Sequence, residues 1–117
     1  MTELEIIAGI CGHKTTVKVE DQKKFMATAV IESTCPNYKK VAKLLEGKQF
    51  DLMQELFKKG ESQVLNACQG IVPHVSCPVP SAILKALEVG VGLALPADAS
   101  ITFSQADKPI KRIGPTS

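Results

Sequence analysis

Hydrophobic and polar residues alternate along the first third of the chain. Leu4, Ile6 and Ala8 share one side of the first alternating run, and two similar runs follow at 15–20 and 25–33. A period of two is typical of a strand that buries one face. A polar connector of hairpin length separates the second run from the third. This part of the chain is therefore predicted to form a three-stranded antiparallel meander.

Beyond residue 34 the apolar residues recur at helical spacing, and prolines, capping residues and glycines mark the ends of about four predicted helices. Their limits are Pro36 to Gly47, Asp51 to Gly60, Ser62 to Ile71, and a last helix that follows the proline-rich segment 72–81. The buried side of the second helix is expected to carry Leu52, Met53, Leu56 and Phe57. Near the end of the last helix, Gly90 and Gly92 are expected either to allow a close approach by another part of the chain or to help the helix end near Leu95-Pro96.

Residues 99–104 alternate again and are expected to add a late edge strand. These elements predict one α+β domain over residues 1–104, followed by a flexible polar tail over 105–117. A length of 117 residues is enough for one hydrophobic core and too short for two.

Charge and composition exclude several classes of function. Fourteen Lys and Arg against twelve Asp and Glu leave a net charge of +2, and aromatic residues make up only 4%. A nucleic-acid partner is therefore not expected. No apolar run reaches the roughly 20 residues that cross a bilayer, so no membrane contact is expected. The first residues are acidic, unlike a signal peptide, and predict a cytoplasmic protein whose cysteines stay reduced.

Three of the four cysteines lie at the ends of predicted strands or at the starts of predicted helices. Cys11 and Cys35 come just after the first and third strands, whose ends lie at one edge of a meander, about 10 Å apart. A multi-atom cluster bridges that gap, whereas a lone metal ion needs closer ligands. Cys35 and Cys77 each precede a proline that starts a helix, where the helix dipole favours the metal-binding thiolate. No Cys-x-x-Cys pair typical of zinc fingers occurs.

Two histidines and the fourth cysteine are further candidate ligands. His13 follows Cys11 and His74 precedes Cys77 at short separations, and imidazole is a normal ligand of soft metals. A solvated or hydrogen-bonded histidine is the alternative at both positions. Cys68 lies on the apolar stripe of the third predicted helix, where burial in the core is the alternative to a ligand role. No nucleophile or phosphate-binding motif occurs, so an enzyme is not expected.

The order of these elements resembles the U-type iron-sulfur cluster scaffold proteins, of the IscU and SufU kind. The resemblance covers residues 4–95 in the order and kind of element, and it implies thiolate ligands and a donor or acceptor protein such as a cysteine desulfurase. The matching stretches are Ala8-Gly-Ile-Cys11-Gly12-His13, Cys35 before a helix, Leu44-Leu-Glu-Gly47-Lys48, and His74-Val-Ser-Cys77 before the last helix.

Some residues depart from the pattern of that family. His13 stands where the family has an acidic residue that helps cluster release, so rapid transfer is not implied. Residues 70–74 do not match the proline-rich stretch that chaperones recognise, so a chaperone partner is not expected. Cys68 is an additional cysteine, which would turn a three-cysteine site into an all-cysteine one.

Two shorter resemblances involve the segment around Cys77. Cys77-Pro-Val-Pro80 is similar to the Cys-Pro-x-Pro motif of the TusA-type sulfur carriers, whose cysteine holds a persulfide. Residues 77–86 also resemble a small, uncharacterised four-cysteine family of anaerobic microbes, which implies no activity.

The sequence thus predicts a scaffold or carrier that binds an iron-sulfur cluster of the 4Fe-4S type. The expected ligands are Cys11, Cys35, Cys68 and Cys77, with His74 or His13 in place of Cys68 if that residue packs in the core. A structural zinc site on the same cysteines is one alternative. A persulfide carrier that uses Cys77 alone is the other. An oligomer is compatible with all three hypotheses.

Overall fold

The computed structural model describes residues 1–104 as a four-stranded antiparallel sheet and four helices. The strands are β1 (Thr2–Ile7), β2 (Lys14–Asp21), β3 (Met26–Ser33) and β4 (Phe50–Asp51). The helices are α1 (Pro36–Leu45), α2 (Leu52–Phe57), α3 (Gln63–Ile71) and α4 (Val79–Gly90). The predicted α+β class, the meander and the four helices are confirmed.

Strand order in the sheet is β1-β2-β3-β4, so the first three strands form the expected meander. Leu4 pairs with Val17, and Val17 pairs with Ile31 on its other side. Because side chains alternate between the two faces of a strand, this register places these apolar residues on one face of the sheet. The helices cover that face, and the opposite face carries mainly charged and polar residues.

The core lies between the sheet and helices α1, α3 and α4. Helix α1 packs against β3 and α3, and α4 crosses β1 and β2. Val17, Val41 and Leu87 are completely buried between these layers. At the end of α4 a Cβ atom on Gly90 would collide with the side chain of Val19. The expected close approach therefore occurs at Gly90, while nothing lies within 4 Å of such an atom on Gly92.

The junction between α2 and α3 is built around a buried carboxylate. Glu55 is 4% exposed and accepts hydrogen bonds from the hydroxyl of Ser62 at 2.7 Å and from the backbone N–H groups of Gln63 and Val64. Ser62 in turn caps α3 by accepting a bond from the N–H of Leu65 at 3.1 Å. A carboxylate at a helix N-terminus satisfies otherwise unpaired donors and complements the helix dipole.

The prediction for the buried side of α2 was wrong at two positions. Met53 is 36% exposed and Phe57 is 69% exposed, whereas Leu52 and Glu55 are buried. Residues 52 and 55 are three apart, so they share one face of this six-residue helix. The hydrogen bonds of Glu55 favour this face over the more apolar one.

The predicted late edge strand was also wrong. Residues 99–104 form no strand, and Ile101 and Phe103 are exposed. The fourth strand is instead Phe50–Asp51, which pairs with the start of β3 and buries Phe50. The predicted tail, residues 105–117, lies outside the described residues. No helix within residues 1–104 is both long and apolar enough to span a bilayer.

Candidate functional site

A small cavity lies at one edge of the sheet, where three segments of the chain meet. These segments are the β1–β2 connection, the β3–α1 junction and the residues that lead into α4. The cavity encloses about 20 Å³, which is room for about one water molecule. The residues that line it are Ala8, Cys11, His13, Thr15, Cys35, Tyr38, His74, Cys77 and Val79.

Cys11 is presented by a tight loop between β1 and β2. The N–H of Ala8 donates to the carbonyl of His13 at 3.0 Å, and the N–H of Gly12 donates to the carbonyl of Gly9 at 2.9 Å. Both glycines have positive φ angles, +102° at Gly9 and +71° at Gly12, which side chains with a Cβ atom rarely adopt. The loop leaves the Cys11 side chain exposed at the mouth of the cavity.

Thr34 connects this loop to the segment that carries Cys35. Its Oγ1 lies 3.0 Å from Nδ1 of His13 and accepts a bond from the N–H of Lys14 at 3.0 Å. The N–H of Thr34 also donates to the carbonyl of Lys14. The imidazole of His13 is therefore anchored through one nitrogen, which leaves Nε2 available for a ligand or a proton.

Cys35 and Cys77 both lie at the beginning of a helix, as the sequence predicts. Cys35 is the N-cap residue of α1, but its side chain makes no capping hydrogen bond. Its N–H donates to Oγ of Ser33 at 3.0 Å. Cys77 comes one residue before Pro78, the N-cap residue of α4. Both thiols are partly buried in the wall of the cavity, so each is available to a ligand there.

The cavity also contains a buried hydroxyl without a partner. Tyr38 is 2% exposed, and its Oη is the one buried side-chain oxygen or nitrogen within residues 1–104 that forms no hydrogen bond. Burial, and then the sulfur atom of the neighbouring Cys77, raise the pKa of Tyr38 above its ordinary value of 10.0. The two groups lie close together without the geometry of a hydrogen bond. The phenol therefore stays protonated as a neutral donor.

Cys68 lies behind the cavity and not in its lining. It is 3% exposed and belongs to the hydrophobic core on α3. Burial, with a smaller contribution from Cys77, raises the pKa of the Cys68 thiol to about 11. The thiol is thus protonated at neutral pH and packs as a small apolar side chain.

The cavity brings together most of the predicted site residues. Five of the six candidates line it: Cys11, Cys35, Cys77, His13 and His74. Sequence reasoning did not identify Tyr38 as a residue of this cavity. Its position three residues after Cys35, on the face that turns inward, was a possible signal.

The donor set is suited to soft metals, although the side chains do not converge on one point. Thiolate and imidazole are the ligands that iron, zinc and copper prefer in proteins. Within residues 1–104, no three His, Cys, Asp or Glu side chains are grouped closely enough to hold a single metal ion. Three of the thiols nevertheless line one cavity.

Comparison with known proteins identifies one family. A family model described as "Family of unknown function (DUF6951)" matches residues 2–103, which include every candidate ligand. No curated protein matches the chain, and no solved structure does.

Proposed function

The chain belongs to the DUF6951 family, and we propose that it binds an iron-sulfur cluster as cargo, acting as a scaffold or carrier. The observation that supports this proposal is the meeting of Cys11, Cys35 and Cys77, from three separate segments, around one cavity. Free cysteines are most often buried singly as small apolar residues. Three thiols around one cavity, two of them at helix starts, favour a shared ligand over separate packing roles.

For this set of donors we prefer a cluster to a single ion. A mononuclear site needs three or four donors around one point, and the described residues contain no such group. A cluster places several iron atoms at its corners, so each thiolate can reach a different atom. Three thiols that come from separate segments and line one cavity are compatible with that requirement, and a four-iron cluster is the form that we propose.

The fourth ligand is a histidine in this proposal. Cys68 is the all-cysteine choice, but it lies in the core with a thiol that resists ionisation. Both histidines line the cavity, and His13 has one ring nitrogen anchored by Thr34. Histidine ligands of metals usually have the second nitrogen hydrogen-bonded in this way. His13 is therefore the preferred fourth ligand, and His74 is its alternative.

The accessibility of the site supports transient binding. Cys11 and His74 are exposed at the mouth of the cavity, and the enclosed volume of about 20 Å³ is much smaller than a cluster. The cargo would therefore rest at the mouth, between the Cys11 loop and the segment before α4. A cysteine desulfurase is a candidate sulfur donor, and the cytoplasm is the proposed location.

A structural zinc ion is the second candidate. The enclosed volume favours it, because about 20 Å³ is enough for one ion, and thiols and imidazoles line the cavity. Occupation by zinc requires the thiols and one imidazole to move closer together. Such a protein is colourless, and its folding depends on the metal.

The first experiment is to purify the protein without oxygen and reconstitute it with iron and sulfide. We expect a brown protein with matched iron and acid-labile sulfide, measured together with zinc. Cys11→Ser, Cys35→Ser and Cys77→Ser should each lose the iron, because a serine hydroxyl is a poor ligand for it. Cys68→Ser is the matched control, which should be less stable but keep its metal.

Outcomes other than the expected one support a different hypothesis or contradict the ligand assignment. Unchanged iron content in Cys35→Ser contradicts the ligand assignment. A colourless protein with one zinc per chain selects the structural site. A protein that stays free of metal after reconstitution, and carries a persulfide on Cys77, selects the sulfur carrier.

A further inference from the structure

The hydroxyl of Tyr38 is unusual because the rest of its surroundings satisfy their polar groups. A buried donor without an acceptor destabilises a fold, and nearly all such groups have partners. The hydroxyl of Thr15, in the same cavity, bonds Oγ of Ser33 at 2.8 Å, and Glu55 accepts three bonds elsewhere in the core. The Tyr38 hydroxyl is the exception within residues 1–104.

Thiol sulfurs are among the acceptors that share the cavity with this donor. Tyr38 follows Cys35 by three residues on α1, and Cys77 lies in the wall of the same cavity. A neutral thiol is a weak acceptor, whereas a thiolate bound to a metal is a strong one. Cys35 and Cys77 line the cavity with Tyr38, whereas Cys68 does not, and Cys77 belongs to the segment that faces α1 across the cavity.

We propose that Tyr38 is a positioning residue whose O–H donates to the metal-bound sulfur of Cys77 when the cavity mouth holds its cluster. The inference rests on the proposed function. It explains why an unpaired hydroxyl is retained inside the core, since ligand binding supplies its acceptor. Hydrogen bonds to ligand sulfurs offset negative charge, which favours the reduced cluster and raises its reduction potential. They also hold the ligand in place, which slows the loss of iron.

Replacement of Tyr38 by Phe removes the hydroxyl and keeps the ring. In the metal-free protein we expect Tyr38→Phe to melt at the same temperature as the wild type or higher, because no hydrogen bond to another described protein group is lost. In the loaded protein we expect a lower reduction potential and about tenfold faster loss of iron to a chelator. A variant that is at least as stable as the wild type without metal, but holds its cluster less firmly, identifies a hydroxyl that acts only on the bound cluster.

Ser62→Ala is the matched control for removal of a buried hydroxyl. Ser62 is 3% exposed, lies outside the cavity, and uses its hydroxyl in two hydrogen bonds. We expect this variant to melt at a lower temperature without metal, while its loaded form keeps the wild-type potential. A potential that changes equally in both variants overturns the inference.

The wild-type protein provides a second test that needs no substitution. Tyr38 is the single tyrosine in a chain without tryptophan, so the ultraviolet Raman signal of tyrosine reports on this residue alone. We expect that signal to change to that of a hydrogen-bond donor when the cluster is loaded. An unchanged signal in the loaded protein overturns the inference.

Failure of the inference is distinguishable from failure of the proposed function. If the wild type takes up no cluster, the proposed function is wrong and the inference falls with it. If the wild type takes up a cluster, but Tyr38→Phe has the same potential and the same rate of iron loss, only the role of Tyr38 is wrong.

Discussion

The α2–α3 junction and the cavity lined by Cys11, Cys35 and Cys77 differ in whether their buried polar groups are hydrogen-bonded. At the junction, the carboxylate of Glu55 accepts three hydrogen bonds, and Ser62 both donates and accepts. At the cavity, the hydroxyl of Tyr38 has no partner, and the thiols of Cys35 and Cys77 make no hydrogen bond that caps a helix. The junction pairs its buried polar groups within the chain, whereas the cavity leaves the hydroxyl of Tyr38 unpaired among the described residues.

This difference separates residues that stabilise the fold from residues that are available for a ligand. A satisfied buried network contributes to stability, and its loss exposes several unpaired groups at once. An unsatisfied group contributes little to stability and gains an interaction only when something else supplies the partner. Four changes to the protein or its conditions test this difference, and their expected effects on stability decrease from Glu55 to Glu5.

Glu55→Ala should cause the largest loss of stability. The change leaves the Ser62 hydroxyl and two N–H groups at the start of α3 without their acceptor, which costs about 3 kcal/mol. Urea unfolding of the metal-free protein measures this loss. Glu55→Gln keeps one acceptor oxygen and should lose less. A loss below about 0.5 kcal/mol for Glu55→Ala would show that water replaces the carboxylate.

Alkaline pH should weaken the fold through Cys68. The thiol ionises near pH 9.0 in the unfolded chain and near pH 11 in the fold, so the unfolded state releases its proton first. The contribution is complete below pH 9.0 and lost as the pH rises to about 11, up to about 2 kcal/mol. Cys68→Ala should flatten this part of the stability profile.

The exposed Cys11 provides the control for that measurement, because Cys11→Ala leaves the buried thiol intact. It should keep the wild-type slope between pH 9 and pH 11. Equal slopes in the wild type and in Cys68→Ala would show that the Cys68 thiol does not determine the alkaline loss. Unfolding midpoints in urea at each pH give the comparison.

Gly90→Ala should cause a smaller loss, at the end of α4 opposite to Cys77. The added methyl group collides with Val19, which costs about 2 kcal/mol, while the better helix propensity of alanine returns about 1 kcal/mol. Gly70→Ala is the matched control, because Gly70 is also helical and nothing lies within 4 Å of its added Cβ. A thermal melt in which Gly90→Ala is as stable as Gly70→Ala contradicts the close approach.

Glu5→Gln should have the smallest effect. The carboxylate of Glu5 lies 2.9 Å from Nζ of Lys14, and about half of each side chain is exposed. Surface ion pairs of this kind are screened by water and salt. We expect no measurable change in the unfolding midpoint at physiological ionic strength. A clear loss would mean that this pair also stabilises the connection between β1 and β2 that carries Cys11.

The position of Cys11 and Cys35 at one end of the sheet was predictable from local pattern. Alternation defines the three strands, and the first and third strands of a meander end at the same edge. Pro36 and Pro78 mark the helix starts that follow Cys35 and Cys77. Strand period, proline position and cysteine spacing are local properties, so they can be recognised in the sequence alone.

The orientation of α2 was not predictable in the same way. Periodicity assigned Met53 and Phe57 to the core because they are apolar. The three hydrogen bonds of Glu55 reversed that choice, and they depend on groups seven to nine residues further along the chain. Hydrophobic pattern carries no information about such bonds.

The sequence by itself determined the α+β class, the meander, the four helices and the set of possible ligands. Only the tertiary structure decided which of those ligands share a cavity. The packing of α4 across the sheet brings Cys77 and His74 to the end where Cys11 and Cys35 lie, while α3 turns Cys68 into the core. The tertiary structure also buries the hydroxyl of Tyr38 without a hydrogen-bond partner among the described residues. The reason is physical: local pattern specifies elements, whereas contacts between distant segments depend on how complete layers pack.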